Sequence, residues 1–311
     1  MTKSMPFNTS DIPDLNCRVA LITGGHSGLG LATTTALAAK NAKVYIASRS
    51  VAKAEEAIRG IRRRLPNAQI EVIEMDLGDL RSVKKGAEDF LRRESKLHIL
   101  INNAGIMCTP FSLTPQNREI QLATNYLSHF LLSSLLLPTL LSTSAPRVVN
   151  VASDGHKKLA PKQGVMFEDM NLENKGTWTR YGHSKLCNVL HARALAKRYG
   201  GEGLVSVSLH PGTVKTNLSA GPRKSTPIYK LIQPLVEWGA PGPEEGCANI
   251  IWCAVSTGLG ELVKGDEGVN GCYFEPVGKL KGVSDAGKDD EMAERLWEWS
   301  EETLKRDGLF T

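Results

Sequence analysis

Apolar and polar positions along the chain alternate between short unbroken apolar runs and longer segments of helical period. Val19-Ala20-Leu21-Ile22 is the first run; it breaks into a glycine-rich turn, Thr23 to Gly30, and an Ala/Leu/Thr segment continues to Lys40. The same order then repeats. Lys43 to Ser48 predicts a second strand, Val51 to Leu65 a helix stopped by Pro66-Asn67, Gln69 to Glu74 a third strand, and Ser82 to Glu94 a helix. Leu97 to Ile101 is a fourth strand, Gln116 to Leu141 a long apolar helix, and Arg147 to Ala152 a fifth strand. Tyr181 to Tyr199 is helical, Val205 to His210 a sixth strand and Val269 to Phe274 the last. Strands that are apolar along their whole length, separated by helices, predict an α/β fold: a doubly wound parallel sheet of about seven strands with helices on both faces. Residues 1–16 read as a polar, proline-punctuated arm, and 17–311 as one domain.

Composition narrows the class. Hydrophobic residues make up 41% and charged residues 23% of the 311, which is ordinary for a globular protein. The net charge of +5 is dispersed, and the densest basic run, Arg62-Arg63-Arg64, closes a helix where cations favour the dipole, so nucleic acid is not expected as a partner. The six cysteines form no C-x-x-C pair and none has metal-ligand spacing to a histidine. Free thiols in a reducing, cytoplasmic setting and no metal site are expected. The N-terminal stretch has no apolar core of signal-peptide length, and Phe130 to Leu141 is too short for a bilayer and contains Pro138, so no transmembrane segment is expected.

In a doubly wound sheet, ligands bind beyond the carboxyl ends of the strands, and the unusual residues fall there: Gly24, Arg49, Asp76, Asn102, Ser153 and Pro211. The strand–turn–helix at Val19–Lys40 gathers free amides and a helix N-terminus, a phosphate site, although a glycine-rich structural turn has the same look. Ser48-Arg49-Ser50 ends the second strand without an acid; Arg49 and the serine hydroxyls suit a ribose 2′-phosphate, which favours NADP(H) over NAD(H). Tyr181 and Lys185 share a helix face at i and i+4, and a nearby ammonium lowers the pKa of a phenol. Ser153 supplies a hydroxyl for a substrate oxygen.

Together these residues resemble the short-chain dehydrogenase/reductase family, a Rossmann-type fold, from Arg18 onward. T-G-x-x-x-G-x-G is matched by Thr23–Gly30, N-N-A-G by Asn102–Gly105, Y-x-x-x-K by Tyr181–Lys185, and P-G-x-x-x-T by Pro211, Gly212 and Thr216. Asn125 and Ser153 match the family's helix asparagine and strand-end serine. The resemblance implies Tyr181 as general acid/base, Lys185 lowering its pKa and binding the nicotinamide ribose, Ser153 orienting the substrate oxygen, and Asn125 helping to position a relay water. It also places Gly24, His26, Ser27, Gly28, Leu29 and Gly30 at the cofactor phosphates. Asp76 and Leu77 flank the adenine, and Asn103, Ala104 and Gly105 line the adenosine ribose. Val214 and Thr216 hold the carboxamide and pyrophosphate.

The long interval between Ser153 and Tyr181, with F-x-D-x-N at Phe167–Asn171, is similar to the retinol-dehydrogenase-like subgroup. The implied reaction is interconversion of a carbonyl and an alcohol on a small, fairly apolar molecule, in the reductive direction. Rival readings keep the fold: dehydration, epimerisation or cyclisation of a biosynthetic intermediate, or a regulator that binds NADP without chemistry. Residues 220–246 read as a substrate-covering segment in which Tyr229, Leu231, Ile232 or Trp238 contacts substrate, with His156 a further candidate. His183 lies about 200° around the helix from Tyr181 and faces away. The apolar helices Gln116–Leu141 and Tyr181–Tyr199 offer faces for a possible homodimer or homotetramer.

Overall fold

The computed structural model describes residues 7, 9–212, 214, 222 and 241–310. Eight strands form one sheet in the order β3-β2-β1-β4-β5-β6-β7-β8. They are β1 (Val19–Thr23), β2 (Lys43–Ser48), β3 (Ile70–Glu74), β4 (Ile99–Asn102), β5 (Arg147–Val151), β6 (Val205–Leu209), β7 (Tyr273–Glu275) and β8 (Lys279–Leu280). Neighbours pair in parallel from β3 through β7. The eighth strand, two residues long and antiparallel to β7, lies beyond the seven that the apolar runs predict. So short a strand has no periodicity to read.

Side chains alternate across the strands into two apolar layers. Val19, Leu21, Tyr45, Ile73, Leu100 and Val148 enter one, with α3 (Leu80–Arg93), α5 (Ser128–Leu141) and α7 (Thr177–Tyr199). Ala20, Ile22, Val44, Ile46, Ile101, Val149 and Val207 enter the other, with α1 (Gly28–Ala38), α2 (Val51–Arg62) and α9 (Ala248–Val255). Burial on both faces is why these strands lack polar alternation.

The long helix starts four residues later than its apolar pattern suggests. Glu119 is its cap: the carboxylate accepts the N–H groups of Gln121 and Leu122, both at 2.9 Å. It opens as α4 (Ile120–Leu122), passes through a π turn (Ala123–Leu127) and continues as α5. Within the N-terminal arm, Ile12 and Leu15 are buried in the second layer, and Leu15 N–H donates to Lys40 O at 2.7 Å.

After α6 (Gly155–Lys158) and α8 (Pro243–Gly246), the chain adds α10 (Thr257–Gly265), α11 (Asp285–Lys288) and α12 (Asp290–Arg306). Helix α12 lies across α7 and reaches α5: Trp297 meets Phe130 edge-on at 4.8 Å, and Tyr126 and Ser300 share a 2.6 Å hydrogen bond. Arg193 and Arg198 on α7 pair with Asp290 and Glu294. The exposed residues of α7 are Lys197 and Arg198, and that of α5 is Pro138. Most of the apolar surface of α5 and α7 is therefore buried within the chain itself. Among the described residues no single helix is long and apolar enough to cross a membrane.

Candidate active site

The strand order reverses between β1 and β4, and a cleft of about 840 Å³ opens there beyond the carboxyl ends of the strands. Gly24, His26, Ser27, Gly28, Leu29, Gly30, Ser48, Arg49, Asp76, Leu77, Asn103, Ala104, Gly105, Pro211, Gly212 and Val214 all line it, with Ser153, Tyr181 and Lys185. Thr216, Tyr229, Leu231, Ile232 and Trp238 lie outside the described residues, as does most of the segment 220–246.

At one end of the cleft the backbone turns sharply. Gly24 and Gly28 have φ of 67° and 51°, the left-handed region where a side chain is strained, and a Cβ on Gly30 would lie 2.7 Å from Asn103 Nδ2. Ser27 caps α1 with no side-chain hydrogen bond, so among the described residues the first amides of this eleven-residue helix gain no acceptor from their cap. Arg49 is exposed beside them. His26 is held below its usual pKa by burial and by the cations Lys53 and Arg49, and its Nδ1 is buried without a hydrogen-bond partner among the described residues. A ring nitrogen without a partner among the described residues, a helix N-terminus uncapped by its Ser27 side chain and two cations fit a phosphorylated ligand. Ser48 departs from expectation: its buried hydroxyl donates to Ser50 O at 3.1 Å and accepts Ser50 N–H, which stabilises the turn and takes up the proton meant for a phosphate. Lys53 was not picked out from sequence; one turn into α2, it reads there as an ordinary surface lysine.

At the other end the expected four residues come together. Tyr181 and Lys185 are buried on α7, with Lys185 Nζ 5.8 Å from the phenol ring centroid. Ser153, just past β5, lies close enough to the Tyr181 phenol to draw its pKa down and accepts Gly155 N–H at 3.1 Å. Its own proton is directed to Asp154 Oδ1 at 3.3 Å. Lys185 Nζ donates to Val151 O at 2.8 Å, and burial draws its pKa down to about 8. Burial pushes the Tyr181 phenol well above its usual range, against the smaller pull of Ser153. Lost hydration is the largest influence on this phenol.

Asn125 sits in the π turn with its side chain fully engaged. Oδ1 accepts Ile106 N–H at 2.8 Å, and Nδ2 donates to Ile106 O and to Ser184 Oγ, both at 2.9 Å. Its amide therefore fixes the turn after β4 to the residue preceding Lys185. A Cβ on Gly105 would lie 3.1 Å from Asn125 Oδ1 and 3.5 Å from Lys185 Nζ, so this wall is closely packed.

His156 is a correction. The ring is buried, Nδ1 is 2.5 Å from Ser153 O, and it packs edge-on to Tyr273 at 4.7 Å. It supports the β5 turn from behind and does not line the cleft. His183 does face away from Tyr181, accepting Met166 N–H at 3.2 Å. The F-x-D-x-N segment is also structural: Asp169 accepts Leu172 N–H, and Asn171 accepts Glu119 N–H at 2.8 Å, fastening the long interval to the helix start. Trp178, Asp154 and His210 line the cleft unanticipated. For Trp178 a signal existed, since it precedes Tyr181 by three positions on the same helix face.

Fold and site define an oxidoreductase of the doubly wound α/β class. The sequence matches the family profile described as short chain dehydrogenase over residues 18–165. It is 41% identical to the short-chain dehydrogenase/reductase drtF of Aspergillus calidoustus, across 99% of this chain and 99% of that one. It is 39% identical to human retinol dehydrogenase 12, across 92% of this chain and 86% of that one. A crystal structure of an uncharacterised Mycobacterium paratuberculosis protein aligns with a TM-score of 0.75 at 32% identity, over 97% of this chain and 98% of the other. The chain belongs to the short-chain dehydrogenase/reductase family, and its relatives include retinol dehydrogenases.

Proposed function

We propose that this protein is an NADP(H)-dependent reductase acting on the carbonyl of a small, fairly apolar ketone or aldehyde, with Tyr181 as general acid/base. The observation that carries the reading is the meeting of Tyr181, Ser153 and Lys185 in one wall of a cleft whose other end is built for phosphate. NADPH, when bound, supplies the hydride. The protein's part is orientation and proton management.

A phenol is protonated at neutral pH, and the direction that calls for a proton donor is reduction, where the carbonyl oxygen becomes a hydroxyl. Ser153 Oγ, beside that phenol, turns its proton from Asp154 to the same oxygen and aligns it. Lys185, its pKa drawn down to about 8 by burial, holds a proton with which to restore the phenol's. Arg49 and its neighbour Lys53 support the preference for a 2′-phosphate. Val214 and Thr216 are assigned to the cofactor, and Tyr229, Leu231, Ile232 and Trp238 to the substrate, on the family resemblance. Six free cysteines agree with a cytoplasmic setting.

The test is NADPH consumption across a panel of apolar aldehydes and ketones, repeated with NADH. Turnover of at least one carbonyl, with NADPH favoured about tenfold or more, is expected. If NADPH binds and no carbonyl is reduced, the assignment is wrong; product formed without net cofactor consumption would mark an isomerising or dehydrating enzyme instead.

A further inference from the structure

His129, in the apolar first turn of α5, has no part in the reading above. The side chain is completely buried, and its two nitrogens reach different halves of the site: Nε2 is 2.9 Å from Thr23 Oγ1 at the end of β1, and Nδ1 is 2.9 Å from the Asn125 carbonyl. Counting donors fixes the tautomer. Thr23 Oγ1 accepts the N–H groups of Asn103 and Ala104, both at 2.9 Å, which occupies its lone pairs and leaves one proton to give. His129 Nε2 at 2.9 Å is a better acceptor for it than Ile101 O at 3.5 Å. Nε2 is then bare, and the neutral ring carries its proton on Nδ1 and donates to Asn125 O. Burial draws the ring's pKa down to about 4, so the tautomer persists at neutral pH.

The two ends are not equally dependent on the imidazole. Without it, Thr23 still binds Asn103 and Ala104 and can turn its proton to Ile101 O. The Asn125 carbonyl lies in the π turn, where the backbone ladder is re-spaced, and the imidazole is the side chain that reaches it. Asn125 in turn ties Ile106 to Ser184, beside Lys185.

We infer that His129 is a positioning residue for the proposed reduction: through the Asn125 carbonyl it holds the π turn against Lys185, and so sets the geometry of the proton-supplying end of the site. The inference rests on the function proposed above. It does not make His129 a proton carrier, since the ring touches neither the cleft nor substrate.

The test compares His129→Phe, which keeps a ring but removes both hydrogen bonds, with His129→Asn, whose Nδ2 can replace the Nδ1 donor toward Asn125 O. For His129→Phe we expect kcat to fall about tenfold, the value of a lost buried hydrogen bond, with the pH profile of kcat displaced and the Kd for NADPH changed by less than about twofold. His129→Asn should recover most of kcat. Equal losses in the two variants, or a loss shared by kcat and NADPH affinity, would reduce His129 to a packing residue. Histidine ring ¹⁵N shifts of the wild-type protein supply an independent readout that needs no turnover and no variant. A bare Nε2 and protonated Nδ1 that do not titrate between about pH 5 and 8 are expected; a titrating or oppositely protonated ring overturns the inference. Because that measurement does not involve a substrate, its failure is distinct from the failure of the carbonyl panel.

Discussion

Asn125 and Thr23, which buttress the cleft, differ from His26, His210 and Arg49, which face it. Behind the wall, Asn125 uses both amide protons and its carbonyl, and Thr23 Oγ1 accepts two amides. Facing the cleft, Nδ1 of His26 and Nδ1 of His210 are buried without hydrogen-bond partners among the described residues, and Arg49 is exposed. The first arrangement costs nothing further when a ligand arrives, because nothing has to reorganise. The second leaves bonding capacity that a ligand can fill. An active site needs both, and here they are carried by different side chains.

The sharpest way to break this comparison is at Tyr181, which lines the same cleft. Tyr181→Phe keeps the ring and loses the hydroxyl, and kcat should fall by about 10² to 10⁴ while NADPH still binds, read by steady-state kinetics beside cofactor titration. Retained turnover would remove the proton-transfer assignment. Next in size is the buried pair of Glu119 and Arg180, 3.4 Å apart, which fastens the helix start to α7. Glu119→Ala leaves a buried guanidinium unpaired and removes a helix cap; unfolding in denaturant should show a loss of about 3 kcal/mol or more.

On the ligand-facing side, Arg49→Ala should raise the Kd for NADPH about 10- to 100-fold and leave that for NADH nearly unchanged, by isothermal titration. The smallest effect concerns pH. Burial holds His129, His156 and His183 at pKa values of about 4 and His191 at about 3, below the 6.5 of a free imidazole. Between those limits the unfolded chain binds more protons than the folded one, so the histidines' contribution is fully present above about pH 6.5 and is lost as pH falls toward 4. Tm should drop by about 5 °C or more across that interval, whether or not cofactor is present.

Strands and glycine turn were legible because they depend on local rules. Lys43–Ser48 is a strand residue for residue, since an element buried on both faces writes itself as an apolar run. The Tyr181–Lys185 spacing was readable because helical period alone puts both on one face. What escaped depends on contacts made far along the chain. Glu119 sits in a polar stretch and gives no hint of being a buried cap held by Asn171 and Arg180. His156 follows Ser153 closely enough to suggest a place at the substrate; only Tyr273, on the seventh strand, shows that it turns inward. His129 stands in S-H-F-L-L as an isolated polar letter, and its meaning lies in an atom of Thr23 at a separation of 106 residues. The late start of the long helix has the same origin, because a cap depends on one side chain and not on periodicity.

Helix α12 carries one more consequence, for how the chain reaches this shape. Tyr126 and Ser300 are 174 residues apart in sequence, yet Ser300 and Trp297 complete the packing over α5 and α7. At a synthesis rate of about 5 to 20 residues per second, some 10 to 35 s separate the emergence of the two partners from the ribosome. During that interval Phe130, His191 and their apolar neighbours await their cover, so the nascent protein has a defined window in which chaperone occupancy on this face should be greatest.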